Sequence, residues 1–407
     1  MKKLIFFVML ISTSVYAQLD LDKAKDTFYN IESVEEKEAF FNKMLSENFQ
    51  NKSIQYNDFQ AQLAADWLLK GDIKKFQFYM EKQPTFSAIQ LFDISNKLED
   101  WVDNDRYITE IEKISGQLLK ELERNPDADS FGRSTILLEI NAVANAKLGN
   151  VDVANKMIKK SDEKASFRSF AYFRNSRANY LNRYAVILSV SGENQRALDT
   201  LTKALKTGTS TAVTDKTFRE IYAKVKGDST GISKIVANLK EQAYQSVYKT
   251  VEKDWKNKGM SLPAVLLTDM AGKQINLAKD FKGKIVVIDF WSTTCKPCIA
   301  AFPAFERINE FYKKEPFNLF VLNEGETTTE VKRFKAKKDY KLEILFDNNE
   351  GYFNGLKAIG TPQKFIIGPD GLIHLTGIGY AGSDDKEFYK VKAMIEFTKK
   401  KYGIINK

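Results

Sequence analysis

The sequence predicts an all-α region of helical hairpins followed by an α/β domain whose central sheet is flanked by helices. Three observations carry this expectation. Between residues 18 and 258 the only prolines are Pro84 and Pro126, and apolar residues recur at spacings of three and four, the period of an amphipathic helix. Near Leu262-Pro263 the pattern changes to short apolar runs of strand length bounded by turn residues. One of these, KIVVIDFW (Lys284 to Trp291), is apolar almost throughout, as expected of a central strand buried on both faces. The length of 407 residues fits two architectures in one chain, because single cores stop growing at about 250 to 300 residues.

The first seventeen residues stand apart from both. MKKLIFFVMLISTSVYA carries two lysines, an apolar run from Leu4 to Ile11 and a small-residue end at Ala17, the three-part pattern of a secretory signal peptide. The run is much shorter than the ~20 residues of a spanning helix. The expected organisation is a signal peptide over 1–17, a helical domain over 18–258 and an α/β domain over 261–405, with the mature protein exported to a periplasm-like compartment. The net charge of +9 is dispersed in Lys/Glu mixtures such as VKRFKAKKDYK, which read as solvated helix faces and exclude a nucleic-acid partner.

In the helical region, AQLAADWLLKGDIKKFQFYME turns at Gly71-Asp72. LEINAVANAKLGNVDVANKMIKKS turns at Gly149-Asn150, and NRYAVILSVSGENQRALDTLTKALKTG turns at Gly192-Glu193. Ala154 and Ala197, five residues past their turns, are small enough to let paired helices approach closely. This layout resembles, weakly, the tetratricopeptide repeat; the turns are unevenly spaced and the repeat's proline is absent. The resemblance implies a stack of helix pairs.

In the second region, VLLTDMAGKQINLAKDFKGK reads as a hairpin turning at Ala271-Gly272. After KIVVIDFW come a helix from about Cys295 to Lys314, the strand FNLFVLN, a helix in TTTEVKRFKAKKDY, the short extended piece LEILF, a short helix in NEGYFNGLKAI, and a hairpin of KFIIG and LIHLTGIG across Gly368–Gly371. A final helix runs from about Asp384 to Tyr402.

The chain's two cysteines, Cys295 and Cys298, lie in WSTTCKPCIAAFP, where a strand hands over to a helix. A sulfur at a helix N-terminus faces unpaired N–H groups and the positive end of the dipole, which favours a thiolate. Pro297 suits the first turn, where no N–H is needed, and Lys296 adds positive potential. The i, i+3 spacing places Cys298 one turn in, within reach of a disulfide. A zinc site would need four ligands, and the chain adds only His374, in a strand, so no metal is expected. A structural staple closing so small a loop would constrain little. Redox chemistry is the remaining reading.

Residues from about Ser261 to Tyr402 resemble the TlpA/ResA-like branch of the thioredoxin superfamily. PAVLLTDMAGKQINLAKDFKGKIVVIDFWSTTCKPC follows that branch's hairpin, Gly-Lys, strand and Phe-Trp-x-x-x-Cys-x-x-Cys layout in order, and Pro303 falls where the family helix is kinked. GTPQKFIIGPDGLI matches the segment carrying the family's cis-proline, here Pro362 preceded by Thr361. The resemblance implies a thioredoxin fold and an exported thiol-disulfide oxidoreductase with Cys295 as nucleophile and Cys298 as resolving thiol. Thr361, Pro362 and Trp291 would meet the substrate chain, and Lys296 and Pro297 would tune the potential. No cofactor beyond the redox-active disulfide is implied. The partners would be disulfide-containing exported proteins and an upstream dithiol donor, membrane-bound if the compartment is a periplasm.

Asp289 lies six residues before Cys295 in an otherwise apolar strand, where a carboxylate is costly unless used or paired. Thioredoxins proper carry an aspartate at the matching position, and burial would raise its pKa towards a range useful for taking a proton from Cys298. Two departures stand out: the glutamate the branch often carries three residues after the second cysteine is Ala301, and the tryptophan before the first is Thr294. Asp289 is therefore expected to take over the proton-handling role. Glu326, in the loop after FNLFVLN, reads as a solvated side chain at the active-site end of the sheet. Two rival functions are a protein-binding helical scaffold with an accessory redox domain and a peroxiredoxin-like peroxidase. The latter family's motif would place a proline at Ile288, although Ser292 fits it.

Overall fold

The computed structural model describes residues 22–46, 56–164, 174–337 and 340–404. The expected signal peptide lies outside the described residues. The chain clusters into two compact units that divide between Ser161 and Asp162.

The first unit is helical: α1 (22–30), α2 (Val34–Ser46), α3 (Asn57–Lys70), α4 (Ile73–Met80), α5 (Ala88–Asp103), α6 (Ile108–Arg124), α7 (Arg133–Lys147) and α8 (Val151–Glu163), whose last two residues fall past the division. The turn after α3 is made by Gly71 at φ 98°, a left-handed conformation that costs glycine least. The Asp72 carboxylate then caps α4 by accepting from the Lys75 N–H at 2.9 Å. Every residue of α7 from Arg133 to Ala146 is buried, which explains why its sequence shows no polar face.

The second unit begins with α9 (Ser176–Val190), α10 (Asn194–Lys206), α11 (Ala212–Lys226) and α12 (Ile232–Lys253). It continues with β1 (Met260–Ser261), β2 (Leu267–Asp269), β3 (Gln274–Ile275), α13 (Leu277–Asp280), β4 (Ile285–Trp291), α14 (Lys296–Tyr312), β5 (Phe317–Glu324) and α15 (Thr328–Lys337). The last elements are β6 (Glu343–Asp347), α16 (Gly351–Gly355), β7 (Gln363–Ile367), β8 (Leu372–Ile378) and α17 (Asp384–Lys401). The strands form one mixed sheet in the order β1-β8-β7-β4-β5-β6-β2-β3, with β4 parallel to β5 and antiparallel to β7. This is the thioredoxin fold with an added hairpin, as the sequence predicts.

All of β4 is buried. Its alternation sends Ile285, Val287 and Trp291 into the core shared with α14 and α17, and Val286, Ile288 and Phe290 into the core on the opposite face with Tyr352 and Leu356. Each such side chain contributes about 1.5–3 kcal/mol on burial, so this strand is the anchor of the sheet. α12 packs along α17: Val251 joins the same core, and Tyr248 meets Phe397 at 5.8 Å between ring centroids.

Candidate active site

The cysteines stand at the end of this anchored strand. Cys295 is the N-cap of α14 in extended conformation, Pro297 lies in the first turn, and the Cys298 and Ile299 N–H groups both donate to the Cys295 carbonyl at 3.1 Å. The two sulfurs are joined in a disulfide across a Cα–Cα distance of 5.3 Å. Their environments differ. Cys295 is half-buried at the surface end of the helix, whereas Cys298 is fully buried with its sulfur 3.7 Å from the Phe290 carbonyl oxygen. Of the two sulfurs, the one in reach of an incoming group is that of Cys295. Lys296 and Pro297 are half-buried beside them.

The loop ahead of Cys295 is fixed by a residue that reads from sequence as solvated. Glu326 accepts from the Thr293 N–H at 2.8 Å and from Asn323 Nδ2 at 2.7 Å, and its other oxygen accepts the Thr293 hydroxyl. That expectation is corrected: the loop after β5 folds back onto the loop after β4, because the two parallel strands end side by side.

The Thr361-Pro362 bond is cis. The Pro362 carbonyl accepts from the Gly379 N–H at 2.9 Å, tying this loop to the end of β8. Trp291, expected to meet substrate, is instead fully buried, with its indole 5.1 Å from the Phe302 ring and 5.4 Å from Phe334. The strand's alternation turns it into the core beneath α14, so it supports the site rather than lining its surface. His374 is buried against Trp255, with Nδ1 2.7 Å from the Lys256 carbonyl and Nε2 3.0 Å from the Tyr402 hydroxyl, which makes it part of the scaffold.

Asp289 alternates with Val287 and Trp291, so it faces the same core as Cys298. It is fully buried and pairs across the sheet with Lys364 of β7, which is also fully buried. The Lys364 ammonium lies 3.4 Å from Asp289 Oδ1 and 2.9 Å from Glu387 Oε1 of α17, and it donates to the Gly379 carbonyl at 3.2 Å. Burial pushes the Asp289 carboxyl up to about 6, with Lys364 opposing the rise and Glu387 adding to it. Burial also works to lower the Lys364 ammonium, but the two carboxylates outweigh it and hold that group above its ordinary value. Sequence reasoning found Asp289 and missed its partners. Lys364 had a signal, a lone charge in the apolar run QKFII; Glu387 in the polar helix α17 had none.

A thioredoxin-fold domain with a Cys-x-x-Cys disulfide at the start of the helix after its central strand defines a dithiol redox enzyme. Residues 259–376 match the model of the AhpC/TSA family. The thiol-disulfide oxidoreductase ResA of Bacillus cereus is 34% identical over 130 residues, which span 32% of this chain and 73% of that protein. ResA of Geobacillus kaustophilus is 29% identical over 129 residues, 32% of this chain and 74% of the relative. Among solved structures, the thioredoxin domain of a thiol-disulfide oxidoreductase from Bacteroides vulgatus is 20% identical with a TM-score of 0.31, covering 35% of this chain and 99% of that one. The chain belongs to the ResA family of thiol-disulfide oxidoreductases.

Proposed function

We propose that the protein is an exported thiol-disulfide oxidoreductase that reduces or exchanges disulfides of envelope proteins, with residues 261–405 as the redox module. The observation that carries the reading is the asymmetry of the pair: a half-buried sulfur at a helix N-terminus and a fully buried one in the core that an ionisable carboxylate also faces. In the reducing direction the Cys295 thiolate attacks a substrate disulfide, forming a mixed disulfide and expelling one substrate thiolate, which takes up a proton. Cys298 then loses its proton to Asp289 and attacks the Cys295 sulfur. The Cys295-Cys298 bond forms, the bond to substrate breaks, and the substrate has gained the two electrons that the dithiol has lost. No soluble cofactor is needed. A second dithiol protein, membrane-bound in a periplasm, must return the electrons.

The substrate chain would lie along Thr361 and Pro362, near Ile359 and Ile378, which are 77% and 62% exposed and offer an apolar rim. Export rests on the N-terminal charge and hydropathy pattern; no helix among the described residues is long and apolar enough to cross a membrane.

The deciding experiment is equilibration of the mature protein with glutathione buffers and with a disulfide-bonded peptide. A two-electron couple near thioredoxin's, about −270 mV, makes it a reductant; one at about −120 to −180 mV makes it an oxidant or isomerase. Failure of the peptide and protein to exchange disulfides at all would sink the reading. The AhpC/TSA match favours a second reading, a thiol peroxidase. Hydrogen peroxide consumption by the reduced protein tests it, and Ile288 in place of that chemistry's proline argues against it.

A further inference from the structure

Buried charge on the core face of the sheet is concentrated behind the cysteines. Lys364 from β7 sits between Asp289 of β4 and Glu387 of α17, with its ammonium 5.4 Å from the Phe305 ring of α14. All three charged side chains are fully buried. Within this triad one cation lies between two carboxylates, and the nearest further cation, Lys390, is only half-buried, so the fully buried part of the cluster is neutral when one carboxylate holds a proton. A buried site resists net charge, which explains why a proton is retained to unusually high pH. Glu387 is held by a second bond, accepting from the Ala381 N–H at 2.7 Å, and is closer to Lys364 than Asp289 is. Neither Asp289 oxygen has a well-formed hydrogen bond among the described residues; Glu387 Oε1 lacks one too, but its Oε2 is anchored by the Ala381 N–H. Asp289 is thus the looser end of the cluster and the one free to exchange its proton.

We infer that Lys364 and Glu387 are positioning residues for thiol-disulfide exchange: together they set the charge that Asp289 carries on the core face it shares with Cys298, and so the rate at which Cys298 resolves the mixed disulfide. This rests on the oxidoreductase reading above and assigns to β7 and α17 a part in its second step. Other groups face Asp289 as follows. Lys390, one turn after Glu387 on α17, donates to the Ile378 carbonyl at 3.0 Å; burial and then Lys364 lower its ammonium, opposed first by Glu387, then by Asp289 and Asp254, and it in turn works to lower the Asp289 carboxyl. α14 presents Cys298, Ala301, Phe302 and Phe305 inward, and β5 places Val321 beside Asp289. No second carboxylate faces the cluster from α14 or β5 among these residues, so Glu387 is the group whose loss changes the balance.

The test uses the full mature protein, reduced and mixed with the aryl disulfide dithiobis(nitrobenzoate). Cys295 attack releases a first thionitrobenzoate, and Cys298 attack on the resulting mixed disulfide releases a second. The pH midpoint of the second release is compared among wild type, Glu387→Gln and Lys364→Met. Removing the Glu387 charge leaves Lys364 wholly to Asp289, and the midpoint is expected to fall by more than about half a pH unit; removing Lys364 is expected to raise it by a similar amount. A structural role alone would slow both variants without moving their midpoints in opposite directions. Unchanged midpoints, or midpoints that move together, overturn the inference. If Lys364→Met does not fold, Lys364→Arg takes its place and is expected to restore a midpoint near wild type. Carbon-13 titration of the Asp289 carboxyl in Glu387→Gln then decides alone, and a midpoint not below wild type overturns the inference. A wild-type protein that releases only the first equivalent overturns the oxidoreductase reading itself, and the inference with it.

Discussion

Glu326 grips Thr293, two residues ahead of the first cysteine: one carboxylate oxygen accepts the Thr293 N–H at 2.8 Å and the other its hydroxyl. Ion-dipole bonds of this kind to a half-buried carboxylate are worth about 1.5–3 kcal/mol together with the donors they satisfy. Glu326→Ala is expected to lower unfolding stability by about 1–3 kcal/mol and to reduce kcat/KM for disulfide exchange, because the Ser292–Thr294 loop sets where Cys295 begins α14. Urea unfolding and exchange kinetics check this together. Unchanged values in both would show that the loop holds itself.

Asp289 makes stability depend on pH, and the sign follows from the direction in which burial moves its carboxyl. Its folded value of about 6 lies above the ordinary 3.8, so the folded state binds the proton more tightly than the unfolded chain. That contribution is fully present below about pH 4 and is lost as pH rises through 6. A rise of this size corresponds to about 3 kcal/mol at most. Asp289→Asn is expected to raise Tm relative to wild type at pH 7.5 and to leave the difference small or reversed at pH 4. A variant less stable than wild type at both pH values would mean that the Lys364 ion pair outweighs the burial cost.

The unequal burial of the two cysteines has a direct kinetic consequence. Cys298→Ala keeps the accessible sulfur and removes the buried one, so under the proposed function a disulfide peptide is expected to remain covalently attached to Cys295 as one adduct per chain, seen by mass spectrometry. Cys295→Ala leaves only a buried thiol and is expected to form no adduct on the same timescale. Equal adduct formation in both variants would show that the helix opens readily enough to expose Cys298.

Much of this site was legible in the sequence because its signals are local. The fully buried strand KIVVIDFW, the helix start at Cys295, the carboxylate at Asp289 and the hairpin turn ending in Gly371 at φ 79° each depend on a few adjacent residues. What was not legible depends on register and long-range folding. Lys364 meets Asp289 because β7 runs antiparallel to β4 in one particular register, and Glu387 joins them because α17 crosses back over that face. Trp291 was misplaced for a related reason: next to the cysteines in sequence, it points by alternation into the core with Phe302. The pairing of β1 with β8 likewise joins residues over a hundred positions apart, and two-residue strands leave no periodic trace.

The grip of α9–α12 on the last helix bears on how much of the chain the redox module needs. Ser210 donates to Asp385 Oδ2 at 2.7 Å, Ser383 donates to the Gly208 carbonyl at 2.6 Å, and the Asp384 N–H donates to Asn175 Oδ1 at 2.7 Å. These bonds fix the start of α17, four residues or fewer from Glu387. Along the same helix, Tyr244, Val247, Tyr248 and Trp255 cover the core that contains Val391, Met394 and Phe397. At about 1.5–3 kcal/mol for each large apolar side chain fully buried, and less for these half-buried ones, removing α12 costs on the order of 5 kcal/mol, comparable to the whole stability of many domains. A fragment of residues 259–407 is therefore expected to unfold at much lower urea than a fragment of residues 162–407, and to bind a hydrophobic dye through the bared face of α17. Its cysteines should still exchange disulfides, but with the Cys298 step slowed as Glu387 loses its fixed position. Matching urea midpoints for the two fragments would show that the sheet domain is self-sufficient and that the α9–α12 helices serve another purpose.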